Sequence, residues 1–143
     1  EIQTKERAPE KTYRLLILDD EENVLEILQR LLSRNGYYVD GAENGLDGLI
    51  YLENQHYDLI VCDISMPGMG GIQFYQEVKQ RDPALAERII FTTGDLINKT
   101  NEEFFAQTGC TLLQKPFEMD KLLQIVSVML RNGNKIIEKQ PNS

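Results

Sequence analysis

The sequence predicts an α/β domain with a five-stranded parallel sheet, doubly wound, and helices on both faces. Three observations carry this. Five short strand-like runs are bounded by turn residues: Tyr13–Leu18, Tyr37–Ala42, Asp58–Asp63, Arg88–Thr93 and Thr111–Gln114. Five segments with helical spacing follow them one for one. The connections are short, so each helix serves as the crossover that parallel strands require.

Residues 1–12 are polar, carry Pro9 and have no apolar period; they read as a linker or a disordered start. The domain is expected over 13–131. Its first strand runs into Asp19-Asp20. A helix over Glu22–Asn35 puts Val24, Leu25, Leu28, Leu31 and Leu32 on one stripe, with acids at its positive end and Gly36 as its stop. After the second strand, Gly45–Asn54 reads as a weaker helix carrying Leu46, Leu49 and Ile50. The third strand ends on Asp63. A Pro/Gly loop, Met66–Gly71, leads to a helix over Ile72–Arg81 with Ile72, Tyr75 and Val78 inward, stopped by Asp82-Pro83. The fourth strand ends at Thr92-Thr93. Asn98–Thr108 is a poorly patterned helix stopped by Gly109. The fifth strand precedes Lys115-Pro116-Phe117. The last helix, Met119–Arg131, turns Met119, Leu122, Leu123, Val126, Met129 and Leu130 inward, and residues 132–143 form a polar tail. Five such units suit the flavodoxin-like strand order 2-1-3-4-5.

A chain of 143 residues with 41% hydrophobic content suits one domain with a real core. The formal net charge of −8 argues against direct nucleic-acid binding as its main business. No apolar run reaches the ~18 residues of a membrane span, and the polar start has no signal-peptide core. Cys62 and Cys110 form no Cys-x-x-Cys pair and read as free thiols in a reducing cytosol, so a cytoplasmic location is expected.

The third strand, Leu59–Asp63, is apolar until it stops on one carboxylate. Strand ends in such sheets face the ligand crevice. Asp19, Asp20, Asp63, the Thr92-Thr93 pair and Lys115 all stand at the carboxyl ends of their strands. In the 2-1-3-4-5 order these strands are neighbours, ~4.8 Å apart. Two carboxylates ~4 Å apart at an effective dielectric of 20 repel by about 4 kcal/mol. Three aspartates and one lysine leave a formal charge of −2, which one divalent cation cancels. All-oxygen donors suit Mg²⁺ or Mn²⁺, and the lack of His or Cys in the cluster disfavours zinc. A carboxylate, a metal, a lysine and a hydroxyl aimed at one point form a phosphoryl-transfer arrangement, with Asp63 as the nucleophile.

Each residue also has a plainer reading. Asp19 with Glu22 matches a capping box. Thr93 alone reads as a turn residue, and Lys115 as solvated. These readings do not explain why every one of these groups falls at the same end of its own strand. His56 reads as a surface residue; Tyr75, Phe104 and Phe105 read as core.

The motifs Leu-Ile-Leu-Asp-Asp-Glu (16–21), Val-Cys-Asp-Ile-Ser-Met-Pro (61–67), Phe-Thr-Thr-Gly (91–94) and Lys-Pro-Phe (115–117), in this order and at these spacings, resemble the receiver domain of two-component response regulators over roughly Tyr13–Arg131. The resemblance implies that Asp63 is the phosphoacceptor, charged from a phosphohistidine on a sensor histidine kinase or a histidine phosphotransfer domain. It implies that Asp20 binds Mg²⁺ directly, Asp19 mostly through water, and the Ser65 backbone carbonyl as a further ligand. It makes Thr93, which precedes Gly94, the switch hydroxyl, and Lys115 the contact to the phosphoryl group, with a cis bond to Pro116. Such a module switches conformation and turns over no external substrate.

Two positions depart from the family. Gly70 stands where Asp or Asn is frequent. Leu112 stands three residues before the lysine, where the family has its switch aromatic, so the usual coupling of hydroxyl and ring cannot operate in its usual form. The Thr-Gly-Asp phrase, the Thr-Gly before the last strand and the polar lead-in resemble receivers at the C-terminus of hybrid histidine kinases. With only a polar tail after Arg131, the chain reads as a single-domain regulator or as a receiver from a longer protein. Ile125 and Val128 flank the last helix's core stripe and hint at a weak homodimer.

Rival classes fare less well. A Mg²⁺-dependent phosphohydrolase with an Asp nucleophile needs a general acid two residues on, where Ser65 stands. A flavin or nucleotide binder needs a Gly-rich loop after the first strand, where Asp-Asp-Glu-Glu stands. A receiver serving only as a scaffold does not require all five site positions intact.

Overall fold

The structure, a computed structural model, describes residues 12–132. Its elements are β1 (Arg14–Leu18), α1 (Glu22–Arg34), β2 (Tyr38–Ala42), α2 (Gly45–Asn54), β3 (Leu59–Asp63), α3 (Gly71–Arg81), α4 (Pro83–Ala86), β4 (Ile89–Thr93), α5 (Lys99–Thr108), β5 (Thr111–Gln114) and α6 (Met119–Asn132). The sheet order is β2-β1-β3-β4-β5, parallel throughout, as predicted. The predicted linker and tail lie outside the described residues apart from Thr12 and Asn132, where α6 ends one residue later than expected.

Strand side chains alternate between the two faces, and each face has its own core. Leu16, Leu18, Ile60, Cys62, Ile89 and Phe91 join the cluster under α2, α3 and α4. Leu15, Ile17, Leu59, Val61 and Ile90 join the one under α1 and α6. Every residue of β3 and of β4 is buried, which is why these runs are apolar almost throughout. Gly36 follows α1 at φ 95°, and Gly109 caps α5 in the left-handed conformation at φ 69°. A side chain at either position strains the backbone.

Helix α2 spans the expected residues but buries only part of its apolar set. Leu46 and Ile50 are 60% and 55% exposed, and the helix turns Gly45, Gly48 and Leu49 inward. The helix lies too close to its neighbours for larger inward residues. A Cβ at Gly48 would lie 2.6 Å from Leu18 Cδ2, and one at Gly45 would lie 2.8 Å from Met69 Cγ. Asp82-Pro83 ends α3 as expected but also starts the extra helix α4, because the Asp82 carboxylate caps the Leu85 amide at 3.1 Å and Pro suits the first turn. Phe74, absent from the predicted inward set of α3, is fully buried, while Ile72 is only half-buried. Met119 at the start of α6 is 38% exposed rather than inward.

Helix α5 buries no residue completely. It is held through half-buried Phe104 and Phe105, which make edge-on contacts with Phe91; Phe104 also meets Tyr75. His56 is exposed, as expected, with Nε2 3.2 Å from the buried Asp58 carboxylate. Cys62 is buried and Cys110 half-buried, both free. Among the described residues no helix is long and apolar enough to cross a membrane.

Candidate functional site

Four strands deliver the predicted residues to the carboxyl edge of the sheet. Asp19 and Asp20 follow β1, Asp63 closes β3, Thr93 closes β4 and Lys115 follows β5. The register sets their depth. Leu18 lies opposite Cys62, Asp63 opposite Thr92, and Thr93 opposite Gln114. The Asp19 amide bonds to the Ala42 carbonyl at 3.1 Å and the Lys115 amide to the Thr93 carbonyl at 2.7 Å, so both site residues continue the sheet's pairing one step past its strands.

Asp19 is 1% exposed and Asp63 5%, while Asp20 faces solvent. Their carboxylate oxygens fall within 4.8 Å of one another. Lys115 closes the cluster. Its Nζ donates to Asp19 Oδ2 at 2.9 Å and lies 3.4 Å from Glu21 Oε1 and 3.6 Å from Asp63 Oδ2. The capping box is not formed. The N-cap of α1 is Glu21, with no side-chain cap, and Asp19 Oδ1 instead accepts from the Glu21 amide at 2.9 Å. Asp19 thus spends its two oxygens on Glu21 and Lys115, which explains its near-complete burial as a charge.

Electrostatics single out Asp63. Burial first, then the Asp19 charge, push its carboxyl up to about 6; Lys115 and the Ser65 amide hold it down, and Asp20 adds to the push. Burial disfavours charge on Lys115, yet the Asp19 hydrogen bond and the surrounding carboxylates leave its ammonium above the usual range. Burial also raises the neighbouring Cys62 thiol, so it contributes no thiolate. Three carboxylates meet one ammonium here, so negative charge is under-compensated. Oxygen donors alone converge, and Mg²⁺ or Mn²⁺ fits that set on charge and donor type.

Thr93 is buried at the same edge, and its hydroxyl is taken up by its own turn, 3.2 Å from the Asp95 amide and 3.3 Å from the Asp95 carbonyl. Thr92 is also buried and lies directly across from Asp63. Ser65 is exposed, two residues past Asp63, and its amide bonds the Asp63 carboxylate. The Lys115–Pro116 peptide bond is cis. Leu112 lies opposite Phe91 and packs, half-buried, on the core that also takes Phe104 and Phe105.

Two residues at the site escaped the sequence reading. Glu21 reaches Lys115; the run of four acids after β1 was its signal. Gly71 begins α3 hard against Asp63. Its amide donates to the Ile64 carbonyl at 2.8 Å, and a Cβ there would lie 2.6 Å from the Asp63 carbonyl oxygen. Spacing in the sequence carried no sign of that approach.

A five-stranded parallel sheet in the order β2-β1-β3-β4-β5 with helices on both faces is the CheY-like fold. Residues 15–127 match the family model of the response regulator receiver domain, and the chain belongs to that family. It is 34% identical over 127 residues to the transcriptional regulatory protein DltR of Streptococcus agalactiae, covering 89% of this chain and 56% of DltR. It is 30% identical over 117 residues to the response regulator receiver protein CpdR of Brucella abortus, covering 82% of this chain and 96% of CpdR. The chain therefore spans about half the length of DltR and nearly all of CpdR. Among solved structures, a response regulator receiver domain protein (CheY-like) of Methanospirillum hungatei JF-1 superposes with a TM-score of 0.79 at 27% identity, over 86% of this chain and 97% of that one.

Proposed function

We propose that Asp63 accepts a phosphoryl group from the phosphohistidine of a sensor histidine kinase or histidine phosphotransfer domain, with Mg²⁺ at Asp20, Asp63, the Ser65 carbonyl and, through water, Asp19. The observation that carries this reading is the buried Asp63 carboxylate, raised to about 6, inside a cluster of oxygens spanning 4.8 Å and facing Lys115. In the reaction an Asp63 carboxylate oxygen forms a bond to phosphorus, and the phosphorus–nitrogen bond of the donor breaks. The electron pair stays on the imidazole, and the product is an acyl phosphate. The metal, when bound, supplies positive charge against the phosphoryl oxygens. Lys115 leaves Asp19 for one of those oxygens, since its Nζ already lies 3.6 Å from Asp63 Oδ2. The Thr93 hydroxyl leaves Asp95 and donates to another. Modification turns one negative charge into nearly two at a buried edge, which is the switch.

A groove of about 420 Å³ beside Lys115 supports docking of a donor helix. It is lined by Val24, Ile27 and Leu28 of α1 and by Pro116, Phe117 and Met119. Ile27 is 53% exposed, an apolar surface that the fold itself does not use. In this reading the domain, bounded at residues 13–131, is a cytoplasmic signalling module that turns over no external substrate. A weak homodimer through Ile125 and Val128, both half-buried on α6, is checked by sedimentation at rising concentration.

Incubation with acetyl phosphate and Mg²⁺, read by intact mass, tests the proposal. One phosphoryl group is gained, and none in Asp63→Ala or with EDTA. An unmodified protein under all conditions, with its fold intact, refutes it. Steady release of phosphate from varied phosphomonoesters identifies a hydrolase instead.

A further inference from the structure

Helix α2 carries an apolar face that neither the fold nor the phosphoacceptor site uses. Leu46, Ile50 and Tyr51 are 60%, 55% and 38% exposed within two turns. Beside them a depression of about 580 Å³, lined by Gly41, Glu43, Asp47, Ile50 and Tyr51 among others, separates α2 from the end of β2. Glu43 is shared with a second depression, of about 270 Å³, that runs on to Glu22 and Glu26 of α1. Four carboxylates line the pair, and among the described residues no lysine or arginine does. Of the four, Glu26 has a cationic neighbour, Arg30 at 3.5 Å.

We propose that this α1–β2–α2 face docks a basic amphipathic helix of a partner protein. Leu46 and Ile50 stand one turn apart, the spacing at which helices interdigitate. The flanking acids select lysine or arginine around the partner's apolar stripe, and the chain's net charge of −8 steers a cation toward it. A second copy is a poor occupant, because a two-fold contact sets this acidic lining against the same lining of the other copy. Anionic lipid and nucleic acid are repelled for the same reason. The face is separate from the groove beside Lys115, which is built by α1 and the segment Lys115–Met119 leading into α6.

The probe is a synthetic helical peptide of about four turns with leucines on one stripe and lysines elsewhere. One control has the same composition with the leucines scattered; another carries glutamates in place of the lysines. Amide shifts of the labelled protein locate binding, and anisotropy measures it. We expect shifts confined to residues 41–51 and the adjoining face of α1. Both Ile50→Ser and Glu43→Lys weaken binding tenfold or more, and so does scattering the leucines. Both variants keep the wild-type melting temperature and acetyl-phosphate reactivity. Shifts centred on Asp63 or Phe117, equal binding of the scattered control, or no binding overturn the proposal. So does self-association of the protein alone that Leu46→Ser abolishes, which identifies a second copy as the occupant.

Discussion

Replacing Asp63 by asparagine stabilises the metal-free protein. The folded state holds this carboxyl at about 6, against 3.8 in the unfolded chain. Ionisation is therefore disfavoured by folding, and the penalty is fully present above pH 6. It shrinks as pH falls toward 3.8 and vanishes below, where both states are protonated. At pH 7.5 it is about 3 kcal/mol, and at pH 4.5 about 1 kcal/mol. The substituted amide has nearly the same shape as the carboxylate, can still accept from the Ser65 amide, and leaves Lys115 its 2.9 Å bond to Asp19. Urea unfolding in EDTA is the assay. The variant should exceed wild type by about 3 kcal/mol at pH 7.5, a rise of roughly 10 °C in Tm. The gap should narrow to about 1 kcal/mol at pH 4.5. Mg²⁺ should also narrow it at pH 7.5, by stabilising wild type more than the variant. A destabilised variant, or a gap that does not change with pH, refutes the account of this charge.

Three further sets of substitutions probe the edge. Lys115→Met removes the cation from a carboxylate buried at Asp19, so it should cost about 3 kcal/mol in EDTA and slow phosphorylation about 100-fold; urea melts and mass time courses check both. Gly71→Ala drives a Cβ to 2.6 Å from the Asp63 carbonyl oxygen, a backbone atom, whereas Gly48→Ala meets the movable end of Leu18 at the same distance. The first should cost about 2 kcal/mol and slow phosphorylation, and the second should cost about 1 kcal/mol and leave the rate alone. Thr93→Ala should slow phosphorylation about tenfold, and Thr92→Ala should only destabilise, by about 1 kcal/mol; the opposite ranking of rates assigns the hydroxyl to Thr92.

Most of this architecture was legible in the chain. Leu59–Asp63 and Ile89–Thr93 are buried on both faces, so their apolar runs announce strands, and an acid or hydroxyl at the end of each announces the edge. What escaped was set by close approach. Apolar periodicity gives no weight to Gly45 and Gly48, so the face that α2 turns inward is not legible from Leu46, Leu49 and Ile50 alone. Asp82-Pro83 read as a stop because the same pair can cap and begin a helix. The pairing of Asp19 with Lys115 joins residues 96 apart, and no local rule competes with a capping box until the sheet is closed. The tie between the Thr93 hydroxyl and Asp95, by contrast, is the local turn that Thr93 on its own suggests.

The central claim is that Asp63 itself carries the phosphoryl group. Borohydride reduces an aspartyl phosphate to homoserine, so treating the acetyl-phosphate product and sequencing its peptides by mass spectrometry locates the acceptor. Homoserine at position 63, and none in samples kept in EDTA, is the predicted result. Homoserine at position 19 or 20, or a phosphorylated product without homoserine anywhere, contradicts it.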